Sequence, residues 1–312
     1  MLRRYFREIS VAAALSALLL FLAVAAPAFY QPQPLLSLLT REAPTLVTAC
    51  GMALVIMARQ IDISVGAQFA ICSVCAGLLA ALKWPLLLVL GASMTVGALI
   101  GMFNGAMVAG LGLPSIVVTL AVMVTGREGL RWLRQGKFID LPETVQWFGL
   151  SQTAGQALIV LTALLLLAAL AWGCRNLSVG RWLYAVGSDA EAARLAGIPP
   201  RWVTFGTFAF LGALTGLAAM MNVVQSPQVD PKSGTGLELK VIAAVVVGGV
   251  AISGGRGNLW GVLLGLLLLG CIGPALVHVH IEPYWEKAIQ GGIILLSVIG
   301  EGWRLRQGSR RD

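Results

Sequence analysis

The 312-residue chain holds few side chains able to do chemistry: 14 Asp and Glu, two histidines and five cysteines. The histidines stand two apart as His278-Val279-His280 at the end of an apolar run. That spacing could chelate a metal on a strand-like turn, but no cysteine completes a ligand set, and an ordinary interfacial pair is the better reading. Cys72-Ser73-Val74-Cys75 has the spacing of a redox or metal pair, yet it lies inside an apolar run with no second such pair. A reactive thiolate needs a polar setting, so Cys50, Cys72, Cys75, Cys174 and Cys271 read as small buried hydrophobes. No G-x-x-x-x-G-K-[S/T] occurs, because Gly136-Lys137 lacks both the upstream glycine and the following hydroxyl. Nothing here predicts hydrolysis, oxidation or group transfer, nor a metal or cofactor held by this chain.

The remaining candidates are ionisable residues close to or inside apolar runs, where burial in hydrocarbon makes each a functional candidate. Asp62 stands between Arg59-Gln60 and Ile63-Ser64-Val65-Gly66, where a helix would break. It suits a cavity-lining or gating segment; alternatively it pairs with Arg59 or caps the helix that follows. Glu238 and Lys240 open a later run and read as interfacial, and Arg127-Glu128 reads as a pair near the outer surface. A proton-coupled carrier would need more acids or histidines at mid-span.

The elements that must position these residues are set by composition. The chain is 58% hydrophobic and 12% charged, with a mean hydropathy of +0.85. Too few charges remain to solvate a soluble surface, and apolar runs of membrane-crossing length recur from end to end. The expected fold is therefore all-α, one polytopic transmembrane bundle over residues 1–312. About ten spans are read, at 11–29, 43–58, 63–82, 86–109, 114–131, 156–174, 202–224, 236–253, 259–277 and 284–301. Breaks fall at Gln31-Pro32-Gln33-Pro34, Lys83-Trp84-Pro85, Gly110 to Pro114 and Ser226 to Pro231. Arg3, Arg4 and Arg7 before the first run resemble a signal-peptide start, but an uncleaved first helix is expected.

With both termini inside, thirteen Lys and Arg fall on the cytoplasmic side and seven on the outer side, which supports that orientation. The bias comes from the tails, including 302–312, and from the loop 175–201. The net charge of +8 is thus read as topology and attraction to membrane lipid, not nucleic-acid binding.

Within that loop, Gly187 to Gly197 reads Gly-Ser-Asp-Ala-Glu-Ala-Ala-Arg-Leu-Ala-Gly, a water-soluble helix in a membrane chain. Ser188 as N-cap with Glu191 three residues on forms a capping box. Asp189 and Glu191 suit the positive end of the dipole and Arg194 the other end. Gly197 suits a left-handed stop and Pro199-Pro200 forbid continuation, giving about eight residues. So short a helix needs something to pack on. Ala192, Ala193 and Ala196 leave a small, flat surface without the basic and aromatic faces of an interfacial helix. Docking into a partner protein is the reading this favours.

The motifs Gly51 to Gly66, Asn104 to Leu120, Gly180 to Ile198 and Gly234 to Gly257 occur in order. Together they make the chain resemble the permease subunits of bacterial ABC importers of the ribose, arabinose, galactose, rhamnose and autoinducer-2 class. That resemblance implies an inner-membrane subunit that receives a monosaccharide from a periplasmic binding protein. It implies a dimer with a second copy or a paralogue, and separate cytoplasmic ATPase subunits that hold ATP and magnesium. On that basis Ser188, Asp189, Glu191, Ala192, Ala193, Arg194 and Gly197 form the helix that couples to the ATPase. Asp62, Ser64, Gly66, Asn104, Thr119 and Glu238 become the expected translocation path or gate. The ending 282–299 and Gly234 to Lys240 are most similar to the rhamnose type, with autoinducer-2 and ribose types next. Arg59-Gln60 departs from the family's paired glycines, and Glu128 from its usual glycine. The competing readings are an ion-coupled secondary carrier, a structural or sensory membrane protein, and a branched-chain amino-acid ABC permease.

Overall fold

In hydrocarbon a backbone must satisfy its own N–H and C=O groups, which leaves the helix as the solution for apolar runs of this length. The computed structural model describes residues 6–278, 281–282 and 284–308. The helices are α1 (Phe6–Ala25), α2 (Pro32–Met57), α3 (Val65–Ala81), α4 (Leu86–Gly105), α5 (Ser115–Arg134), α6 (Gln152–Asn176), α7 (Ser178–Ser188), α8 (Ala190–Leu195), α9 (Pro200–Val223), α10 (Leu237–Val247), α11 (Leu259–His278) and α12 (Trp285–Gly308). A π-helical turn, Ala106–Gly110, prolongs α4.

Each of the ten apolar runs overlaps one α-helix, in order; the first runs past α1 into a 3-10 turn at Pro27–Tyr30, and two others differ further from expectation. Pro32 and Pro34 do not keep the chain out of helix; they open α2, where a missing N–H costs nothing. That makes α2 26 residues long instead of 43–58. The run 236–253 yields only the 11-residue α10. At roughly 16 Å it cannot cross a bilayer core of about 30 Å, because Gly248 and Gly249 end it. His280 lies outside the described residues.

Helix α2 is the centre of the bundle, with every residue from Glu42 to Ala58 buried, as a helix apolar on all faces requires. Helix α9 packs on α2 and α4. A Cβ at Gly97 would strike the carbonyl of Gly212, and one at Gly212 the carbonyl of Gly97. Gly101 meets the Phe208 carbonyl in the same way, so the i, i+4 glycines of α4 bring two backbones into contact. Gly97→Leu is expected to destabilise the bundle by about 1–3 kcal/mol or more through overpacking, read as lost monodisperse protein on size-exclusion chromatography.

On the expected outer side the two longer loops meet. Strand β1 (Ile139–Asp140) pairs antiparallel with β2 (Gln228–Val229). Leu141 N donates to the Pro227 carbonyl at 2.9 Å and Trp147 N to the Val224 carbonyl at 2.8 Å.

Candidate functional site

The soluble-looking segment forms a bent pair of helices. Helix α7 buries Leu183, Val186 and Gly187 and ends as Asp189 turns extended (φ −157°, ψ 107°). The N-cap of α8 is Asp189, not Ser188: its Oδ1 accepts from Glu191 N at 2.9 Å and Ala192 N at 3.0 Å. Ser188 is still helical as the last residue of α7, so the expected capping box does not form and α8 has 6 residues. Glu191 instead takes a forked contact from Arg194, Nε to Oε2 at 3.1 Å and Nη2 to Oε1 at 2.5 Å. The Arg194 guanidinium holds the Glu191 carboxyl below its ordinary range.

The stop follows expectation. Gly197 is left-handed (φ 81°), its N–H donates to the Arg194 carbonyl, and Ile198 N donates to the Ala193 carbonyl, both at 3.0 Å. Those two bonds make a Schellman motif. Ala193 is buried, while Leu195 is 79% exposed. The helix thus presents a self-neutralised ion pair and one bare leucine to its surroundings.

A second site lies in the break between α2 and α3. Asp62 is fully buried. Its carboxylate accepts from Ser64 N at 2.8 Å, the Ser64 hydroxyl, Gln68 Nε2 at 3.0 Å and Asn104 Nδ2 at 3.2 Å. These donors are all neutral, and Arg59 is exposed, so the expected Arg59 alternative does not describe the site. Thr119 takes Ile63 N at 3.1 Å and Ser115 takes Ile61 N at 3.3 Å, which ties the break to α5. Two buried amide oxygens, Gln68 Oε1 and Asn104 Oδ1, have no hydrogen-bond partner among the described residues. Unpaired buried acceptors are costly and call for an explanation.

Gly66 and Glu238 meet one turn away. A Cβ on Gly66 would strike Glu238 Oε2 and come within 2.8 Å of Arg127 Nη2 and 2.6 Å of the Gly234 carbonyl. Glu238 and Arg127 form an ion pair at 2.9 Å. Arg127 is therefore not paired with Glu128, which faces Arg131 at an exposed 3.7 Å; adjacent residues point about 100° apart around α5. Lys240 is likewise not simply interfacial, since its Nζ reaches Glu42 Oε2 at 2.7 Å.

The structure thus brings Asp62, Ser64, Asn104 and Thr119 into one cluster and Gly66 with Glu238 into a neighbouring one. The residues that sequence reasoning missed are Gln68, Arg127 as a partner of Glu238, and Glu42. Gln68 is the lone amide of α3 and Glu42 the acid before a long uncharged stretch, a signal akin to the one that singled out Asp62.

A family model described as branched-chain amino acid transport system / permease component matches residues 35–298. The chain is similar to the autoinducer 2 import system permease protein LsrC of Enterobacter sp. (strain 638), 33% identical over 98% of this chain and 89% of that protein. It is similar to LsrC of Klebsiella pneumoniae at the same identity and coverage. It is also similar to the ribose import permease protein RbsC of Escherichia coli (strain K12), 29% identical over 95% of this chain and 96% of that protein. No solved structure matches.

Proposed function

The chain belongs to the family of branched-chain amino acid transport system permease components, and from that premise we propose that it is the membrane subunit of an ATP-driven importer for a monosaccharide or sugar-like molecule. The observation that carries the reading is α8. A chain without a nucleotide-binding motif holds out a capped helix whose one large apolar side chain, Leu195, is left bare. Such a helix docks into a groove on a separate cytoplasmic ATPase, with Ser188, Asp189, Glu191, Ala192, Ala193, Arg194 and Gly197 at or beside the contact. Both termini are cytoplasmic in this reading, and a periplasmic binding protein delivers the substrate to a dimer of permeases.

The sugar class rests on the relatives named for autoinducer 2 and ribose, and on the chemistry of the Asp62 cluster. Buried amide oxygens without donors, beside a carboxylate, can receive the hydroxyl groups of a polyol when the break opens. Rhamnose, autoinducer 2 and ribose are the three substrates to compare.

The test is reconstitution in liposomes. The permease with its ATPase and loaded binding protein is expected to accumulate substrate only with ATP, and the permease alone to accumulate none under a proton or sodium gradient. Gradient-driven uptake by the permease alone would establish a secondary carrier instead.

A further inference from the structure

The segment that carries α8 is gripped where α7 ends. Gly187 lies against the carbonyl of Met57, the last residue of α2, and a Cβ there would also come within 2.5 Å of Gly255 N. Gly255 N donates to that same Met57 carbonyl at 2.9 Å, and a Cβ on Gly255 would collide with the Ser188 hydroxyl. Gly254 has room for no side chain either: a Cβ would lie 2.7 Å from the Gly187 carbonyl and 2.8 Å from Arg59 Cβ. One turn earlier on α7, the Tyr184 hydroxyl donates to the Gly257 carbonyl at 3.0 Å. Three backbones (the α7–α8 junction, the 254–257 turn and the end of α2) therefore meet with almost no side chain between them.

The turn itself is well defined. Ala251 N donates to the Arg256 carbonyl and Gly254 N to the Ala251 carbonyl, both at 3.0 Å. Gly254 and Gly255 are left-handed (φ 82° and 67°), a conformation that side chains disfavour. Upstream, the turn continues through buried Val250 and the Gly248-Gly249 stop into α10, whose first turn carries Glu238 against Gly66 and Arg127. On the α2 side, Met57 leads within five residues to Asp62. The junction thus touches the two segments that lead to the two polar clusters.

We propose that the 254–257 turn is the positioning element that carries movement of α8 to both clusters, along α10 to Glu238 and along the end of α2 to Asp62. The assignment rests on the reading of α8 as the ATPase contact. Backbone packed on backbone has no rotamer with which to absorb a shift, so displacement of α8 moves the turn as a body. The Tyr184–Gly257 hydrogen bond fixes the register of that contact.

The test uses the permease–ATPase complex in liposomes with its loaded binding protein, comparing Tyr184→Phe and Gly255→Ala with the unchanged complex. Both variants are expected to retain the ATPase at unchanged stoichiometry and to hydrolyse ATP. Uptake should fall about tenfold or more, and hydrolysis should lose its response to the loaded binding protein. Tyr184→Phe removes one hydroxyl and decides the matter if Gly255→Ala does not assemble. Uptake and stimulated hydrolysis within about twofold of the unchanged complex in Tyr184→Phe would overturn the relay. Release of the ATPase by Tyr184→Phe would overturn it too, by making the turn part of the dock. Leu195→Glu is measured alongside: if it leaves the ATPase bound, the docking reading of α8 fails, and that result is distinct from failure of the relay.

Discussion

Leu195→Glu is expected to cut substrate uptake in cells by about 100-fold or more while the permease still reaches the membrane in normal amounts. The side chain is 79% exposed, so its replacement costs the isolated subunit little stability. Seated in a groove of the ATPase, however, an unpaired carboxylate would lose its hydration without compensation. A penalty of about 3 kcal/mol is modest for such a burial and corresponds to roughly two orders of magnitude in the assembled complex. Co-purification of the ATPase is the direct readout, and its survival would remove α8 from the docking role. Glu191→Ala separates two contributions on the same helix. It removes the forked contact with Arg194 but leaves Asp189 as the cap, so a milder loss is expected than from Leu195→Glu.

The second large effect is expected at the partly buried Arg127–Glu238 pair. Glu238→Gln should destabilise the permease by about 1–3 kcal/mol, because it leaves the partly buried Arg127 against the Gly234 carbonyl without its compensating charge. Thermal aggregation should begin on the order of 10 °C lower. The joint replacement Arg127→Met with Glu238→Met should recover most of that loss, since a buried pair exchanged for apolar side chains is often close to neutral. If the double variant is stable yet imports nothing, the pair serves transport; if it also imports normally, the pair is a structural tie between α5 and α10. A Glu238→Gln variant as stable as the original would show that the pair is solvated.

Much of this architecture is legible in the residues, and the failures share a cause. The all-α architecture follows from the apolar runs, and the left-handed stop at Gly197 follows from one glycine and two prolines. The cap moved from Ser188 to Asp189 because burial of Gly187 on Met57 holds Ser188 in α7, and that contact is far away in sequence. The same limit explains Arg127, whose partner lies 111 residues away on α10, while Glu128 beside it offered a plausible local pair. Asp62 stood out as the acid at a break. Its companion Asn104 is singled out only through the family resemblance, and Gln68 joins the two of them only when α3 and α4 pack side by side.

The small ribbon of β1 and β2 also has a mechanical meaning. Its ladder joins the connection between α5 and α6 to the connection between α9 and α10, with Leu141 and Trp147 adding main-chain bonds at 2.9 Å and 2.8 Å. Main-chain ladders give way cooperatively rather than by degrees, so the two connections behave as one stiff handle. Force applied to that handle from outside would be shared at once by four helices. Two of them, α5 and α10, hold opposite ends of the Arg127–Glu238 pair.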